Sequence, residues 1–271
     1  MRQTIILILI LVSPGAIAAM TKRVQQLRIA ETTVELAIYE DGEGLTLFAP
    51  HASEQAAVNI GKQFIAAKGG RLIEISNGTS RNIRFTAGGQ VFSVDPNRIF
   101  TGNGRTCSAP VGTAEAVRTF AESLLAELAV NGKFPPIIVA LHNNTDADQK
   151  TGMAKDADLT HRSFVKELGG RYSGQAAGVF WSNEEPDADN FIYLAQPKHL
   201  SFFAAKGFSV VVQRADLTSK NCSIDDGSLS VFAGRNGLEY ICLEADPGSQ
   251  VRQQNMLEAV RELYQLAAAD H

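Results

Sequence analysis

The sequence predicts an α/β protein, a single-domain three-layer fold on a mixed, largely parallel sheet. Strand-like and helix-like patterns interleave along the whole chain. The run "FPPIIVALHN" (134–143) is continuously apolar, as strands covered on both faces are. No Pro/Ser-rich linker, repeat or low-complexity tract divides the 271 residues, a length that one large domain accommodates.

The elements follow in order. Residues 1–18 read as a secretory signal peptide: Arg2, the apolar run Ile5 to Val12, Pro14-Gly15 and the small-residue stretch Ala16 to Ala19. The apolar run falls well short of the roughly 20 residues a spanning helix needs, so the expectation is a mature domain over 19–271, secreted or periplasmic, with no stable membrane anchor. "QLRIAETTVELAIYE" alternates like two short strands around Glu31-Thr32, and "GLTLFAP" is a strand ended by Pro50. Ser53 is the expected cap of a helix through "EQAAVNIGKQFIAAK", whose Ala56, Ile60, Phe64 and Ala67 form a stripe at helical spacing, with Gly69-Gly70 closing it. "RLIEIS" is a strand and "RNIRFTAGGQVFSVD" a hairpin with a glycine turn.

A second helix is expected over 113–129, stopped by Asn131-Gly132, before the apolar strand that ends in "ALHN". Residues 143–189 are rich in Asp, Gly, Asn and Ser and read as mostly loop, with a short helix around "RSFVKEL". "NFIYLA", a helix in "PKHLSFFAAKG", the strands "FSVVVQ" and "LEYICLEA", and a last helix from "SQVRQQ" onward complete the chain. "DDGSLSVFAG" (225–234) reads equally well as a site wall or as a turn into a short helix.

Charge and cysteine content narrow the partners. The 25 basic and 29 acidic residues nearly balance, and no basic block follows a phosphate backbone, so nucleic acid is not expected. The three cysteines show no C-x-x-C spacing. Cys107 and Cys222 lie in polar surroundings suited to a disulfide in an oxidising compartment, and Cys242 lies in an apolar run suited to a buried residue.

In open α/β sheets ligands bind beyond the carboxyl ends of the strands. His51 and Glu54 follow one predicted strand, Asn97 and Arg98 another, and His142 and Glu244 end two more. Two imidazoles and a carboxylate are the protein ligands of many catalytic zinc sites, and a further carboxylate can move the proton of the attacking water. Each pair alone is weak, since an H-x-x-E also arises from a helix-start carboxylate beside a surface histidine. Their placement after successive strands is the stronger signal. His161 and His199 fall on polar or helical segments and read as ordinary residues.

"HASE", "VDPNRIF", "ALHN" and "YICLEAD", in that order, resemble the zinc carboxypeptidase superfamily with its aspartoacylase and succinylglutamate desuccinylase relatives. The resemblance implies a zinc-carboxypeptidase-like fold in which His51, Glu54 and His142 hold one Zn2+ ion and Glu244 is the general base and acid. It also implies that Asn97 and Arg98 hold a substrate carboxylate, and that an upstream arginine stabilises the oxyanion. Arg84, on "RNIRF", is preferred to Arg81 for that role. The expected activity is amide hydrolysis by a carboxypeptidase or amidase acting on a peptide or muropeptide with a free carboxylate, such as a peptidoglycan stem peptide. An N-acyl amino acid deacylase and a non-catalytic peptide or cell-wall binding protein are the alternatives. The third histidine lacks the serine that follows it in the digestive members, and the G-x-S-x-G of a serine hydrolase does not occur.

Overall fold

Alternating apolar side chains in residues 21–41 produce the first hairpin, β1 (Thr21–Ile29) paired antiparallel with β2 (Thr32–Asp41). The computed structural model describes residues 20–100, 109–144, 161–166, 172–185, 187–214 and 225–269. The proposed signal peptide and both Cys107 and Cys222 lie outside the described residues. Among the described residues no helix is long and apolar enough to cross a membrane.

After the hairpin come β3 (Thr46–Ala49), α1 (Gln55–Lys68) and β4 (Gly70–Ser76). A small separate hairpin follows, β5 (Ile83–Ala87) with β6 (Gln90–Val94), then α2 (Ala114–Leu128) and β7 (Ile138–Asn143). The chain continues through β8 (Ala176–Phe180), β9 (Phe191–Leu194), α3 (Leu200–Ala205), β10 (Val210–Gln213), α4 (Leu229–Arg235), β11 (Tyr240–Ala245) and α5 (Gln250–Ala269). Nine strands form one mixed sheet in the order β1-β2-β4-β3-β7-β11-β9-β10-β8. Its centre, β4-β3-β7-β11, is parallel throughout, so the carboxyl ends of these four strands share one edge.

Each face of the sheet is covered, giving three layers. On one face Val58, Phe64 and Ile65 of α1 join Met256, Leu257 and Val260 of α5 in a buried cluster with Leu47, Val139 and Leu243. On the other, Phe120 and Leu124 of α2, Leu229 of α4 and Phe85 of β5 pack on Phe48, Ile138 and Ala140. This double cover is why β7 is apolar at successive positions.

Four local expectations change. The N-cap of α1 is Glu54, with no side-chain capping bond, so Ser53 does not cap it. The buried face of α1 comprises Ala57, Val58, Ile60, Gly61, Phe64 and Ile65, while Ala67 is exposed, because the helix lies against α5 as well as the sheet. Within the loop-rich 143–189 segment, β8 pairs antiparallel with β10 at the sheet edge, a tertiary pairing that local composition does not announce. The short helix expected around "RSFVKEL" is a single 3₁₀ turn, His161–Phe164.

The turn from α1 into β4 runs through Gly69 and Gly70, and Gly70 has φ +110°. A Cβ there would lie 2.5 Å from the Leu45 carbonyl oxygen. Gly70→Ala is expected to cost about 1–3 kcal/mol, measured as a lower midpoint in urea unfolding, whereas an unchanged midpoint would show that the backbone relaxes freely.

Candidate metal centre

Pro50 stops β3, and the chain turns tightly: the Glu54 amide donates to the His51 carbonyl at 3.1 Å, and the Val58 amide to the Glu54 carbonyl at 3.2 Å. This turn brings both side chains together, with His51 Nδ1 2.7 Å from Glu54 Oε1. On the adjacent strand β7, His142 Nδ1 lies 3.0 Å from Glu54 Oε2. Two imidazoles thus meet the two oxygens of one carboxylate, their ring centroids 4.9 Å apart. Glu244 stands opposite His142 in the β11–β7 register, which puts both on the same face of the sheet.

Asp95, directly after β6, completes the cluster. Its Oδ1 lies 2.8 Å from His51 Nε2. The carboxylate after "VFSV" stood two residues before the Asn97-Arg98 pair, so the strand-end rule could have found it. Asn143 was also missed. Its amide donates to Glu54 Oε2 at 3.2 Å, its Oδ1 accepts from the Ala57 amide at 2.8 Å, and its Nδ2 donates to the Ala245 carbonyl. One side chain thereby ties the start of α1 to the ends of β7 and β11.

Arg81, not Arg84, reaches the cluster. Its guanidinium lies 2.7 Å from Glu54 Oε1 and 3.3 Å from Asp95 Oδ2. Arg84 sits between buried Ile83 and Phe85, so strand alternation turns it outward, where it is exposed. Arg81 instead lies in the loop after β4, one of the parallel strands whose carboxyl ends form the site edge.

Electrostatics follows from this packing. Burial opposes a charge on His51, but Glu54 and Asp95 outweigh it and raise the imidazole above its ordinary range. Burial also opposes the charge on Glu54, which His142 and His51 nevertheless hold far below the usual carboxylate range. Asp95 is likewise depressed against its burial by His51 and Arg81. Glu244 goes the other way: burial dominates and raises its carboxyl, with His142 pulling against it. Its Oε1 accepts from the Cys242 thiol at 3.4 Å, while the buried Oε2 has no hydrogen-bond partner, nor has His142 Nε2.

The residues present fit a metal ion. One donor atom each from His51, Glu54 and His142 lies within 4.8 Å of the other two, and all three residues are buried. The donor set suits zinc, which takes three protein ligands at catalytic sites and keeps a fourth position open. Asp95 supplies what a ligating imidazole needs on its other nitrogen, an acceptor that fixes its tautomer and orientation. Binding requires an imidazole that has given up the proton on its ligating nitrogen. Because the raised His51 holds its proton to higher pH, zinc affinity is expected to fall as pH drops through that raised value. Zinc affinity measured by competition with a chelator across a pH series checks this; an affinity that does not weaken toward acid would contradict it.

Beside Glu244 opens a pocket enclosing about 550 Å³ counted out to solvent, whose lining includes Asn97, Arg98, Tyr193, Gln213, Asp226 and Ser230. Arg98 is ion-paired with Asp226, and Gln175 also donates to that carboxylate. The Asn97 side-chain oxygen accepts from the Leu229 amide at 3.4 Å, which pins the start of α4. Ser228 caps α4, so "DDGSLSVFAG" is both a site wall and a turn into a short helix.

No protein-family model and no curated protein matches the chain. Among solved structures, it is similar to an aspartoacylase family protein from Mesorhizobium loti, with 13% identity and a TM-score of 0.38. That match covers 87% of this chain and 66% of the other, so the chain spans just under two thirds of that protein's length. A likeness this slight assigns no function.

Proposed function

We propose that this protein is a zinc-dependent amide hydrolase of the carboxypeptidase or amidase class. The observation that carries the reading is Glu244: a buried carboxylate with one unpartnered oxygen, opposite a candidate ligand and opening into the pocket. Zinc at His51, Glu54 and His142 would supply a Lewis acid and a water acidified to about pKa 7. Glu244 takes the proton of the attacking water and returns it to the departing amine, a role that suits a buried carboxylate whose burial raises its affinity for a proton. Arg81 brings positive charge to the cluster, where an oxyanion needs it. Arg98 receives a substrate carboxylate by sharing its guanidinium with Asp226.

The substrate class proposed is a peptide with a free carboxylate. The leader pattern in residues 1–19 supports action outside the cytoplasm, where peptidoglycan stem peptides supply such ends. The test is a panel of muropeptides, carboxyl-terminal dipeptides and N-acyl amino acids given to the zinc-loaded protein. Release of an amine from the first two classes supports the reading. Cleavage of the N-acyl amino acids alone would assign a deacylase, and no cleavage at all would sink the hydrolase reading.

A further inference from the structure

Cys242 is the chemically distinctive group that this mechanism leaves unused. It lies two residues before Glu244 on β11, so strand alternation puts both on one face. His142 stands opposite Glu244 on β7. One donor atom each from His142, Cys242 and Glu244 lies within 4.8 Å of the other two, and the residues are only 4%, 6% and 6% exposed. Two atoms of this trio, His142 Nε2 and Glu244 Oε2, are buried without a hydrogen-bond partner. Buried polar atoms are rarely left so, and each such atom points to something that completes it.

We propose that His142, Cys242 and Glu244 form a second cation site, selective for a thiophilic divalent cation such as excess zinc or cadmium. The donor chemistry separates it from the first site. A sulfur beside an imidazole and a carboxylate favours zinc or cadmium over magnesium or calcium, which prefer all-oxygen shells. Cys242 and Glu244 both line the pocket, so an ion has a path in. On binding, a sulfur–metal bond forms and the thiol proton passes to solvent. His142 serves both sites as a bridging imidazolate: Nδ1 faces Glu54, Nε2 has no partner, and binding of the second ion releases the remaining ring proton to solvent together with that of the thiol. An ion here engages Glu244, so excess zinc would withdraw the general base; that consequence rests on the hydrolase reading, whereas the site itself does not.

The test uses zinc-loaded protein carrying Cys107→Ser and Cys222→Ser, which leaves Cys242 as the sole thiol. Titration with cadmium should produce the ultraviolet thiolate-to-cadmium charge-transfer band, absent after Cys242→Ser and retained after His51→Ala. No band in the Cys242-only protein would overturn the site. Loss of the band in His51→Ala would overturn it too, since Cys242 would then be only an extra ligand of the first ion. Should Cys242→Ser fail to fold, cadmium-edge X-ray absorption of the Cys242-only protein decides, with a sulfur neighbour expected and its absence fatal. Zinc content of Cys242→Ser reports the first site alone, so zinc-free protein there counts against the hydrolase reading separately.

Discussion

Glu244→Gln is expected to lower turnover by about 10²–10⁴-fold, the range for loss of a positioned proton-transfer group, while zinc content and ligand binding stay close to the parent's. The amide preserves the size of the side chain and an oxygen that can accept from Cys242, which donates to Glu244 Oε1 at 3.4 Å. It cannot take a proton from water. The cost is therefore expected in kcat more than in KM, and steady-state kinetics on the best substrate of the panel, with elemental analysis beside them, measure it. Unchanged kcat would remove Glu244 from the chemistry. A protein that only binds its ligand would be largely indifferent to the substitution.

The second large effect concerns the metal itself. The purified parent is expected to hold about one equivalent of zinc, as a three-ligand catalytic site does, and the His51→Ala/His142→Ala double variant none. The double variant leaves Glu54 with Arg81 as its remaining charged partner among the described contacts. Adding zinc back to metal-stripped parent should also raise its Tm: a ligand at 100 times its Kd stabilises by about 2.7 kcal/mol. The variant should show no such rise. Zinc retained by the double variant would place the ion elsewhere, and a zinc-free parent that takes up none on incubation would remove the metal reading altogether.

Much of this architecture was legible because its signals are local and repeated. Alternation in 26–40 announced the first hairpin, Pro50 marked the end of β3, and the unbroken apolar run before His142 announced a strand covered on both faces. The strand-end rule then brought His51, Glu54, His142 and Glu244 to one edge, since parallel neighbours place their carboxyl ends together. Where local rules misled, a longer-range demand had won. Ser53 stood where a cap belongs, yet Glu54 occupies the N-cap position with its carboxylate turned to two imidazoles and a guanidinium. Arg84 was favoured for its strand-like setting, but that strand's alternation turns it to solvent.

The sequence by itself determined the α/β class, the order of most elements and which side chains lie at strand ends, because these depend on periodicity and on residues that stop a strand or helix. Only the tertiary structure decided that Asp95 holds His51, that Arg81 spans Glu54 and Asp95, that Asn143 joins three elements, and that Cys242 lies beside Glu244 and His142. Those contacts join residues as far apart in the chain as His142 and Glu244. They arise from the order in which strands pair across the sheet, which no local pattern of residues encodes.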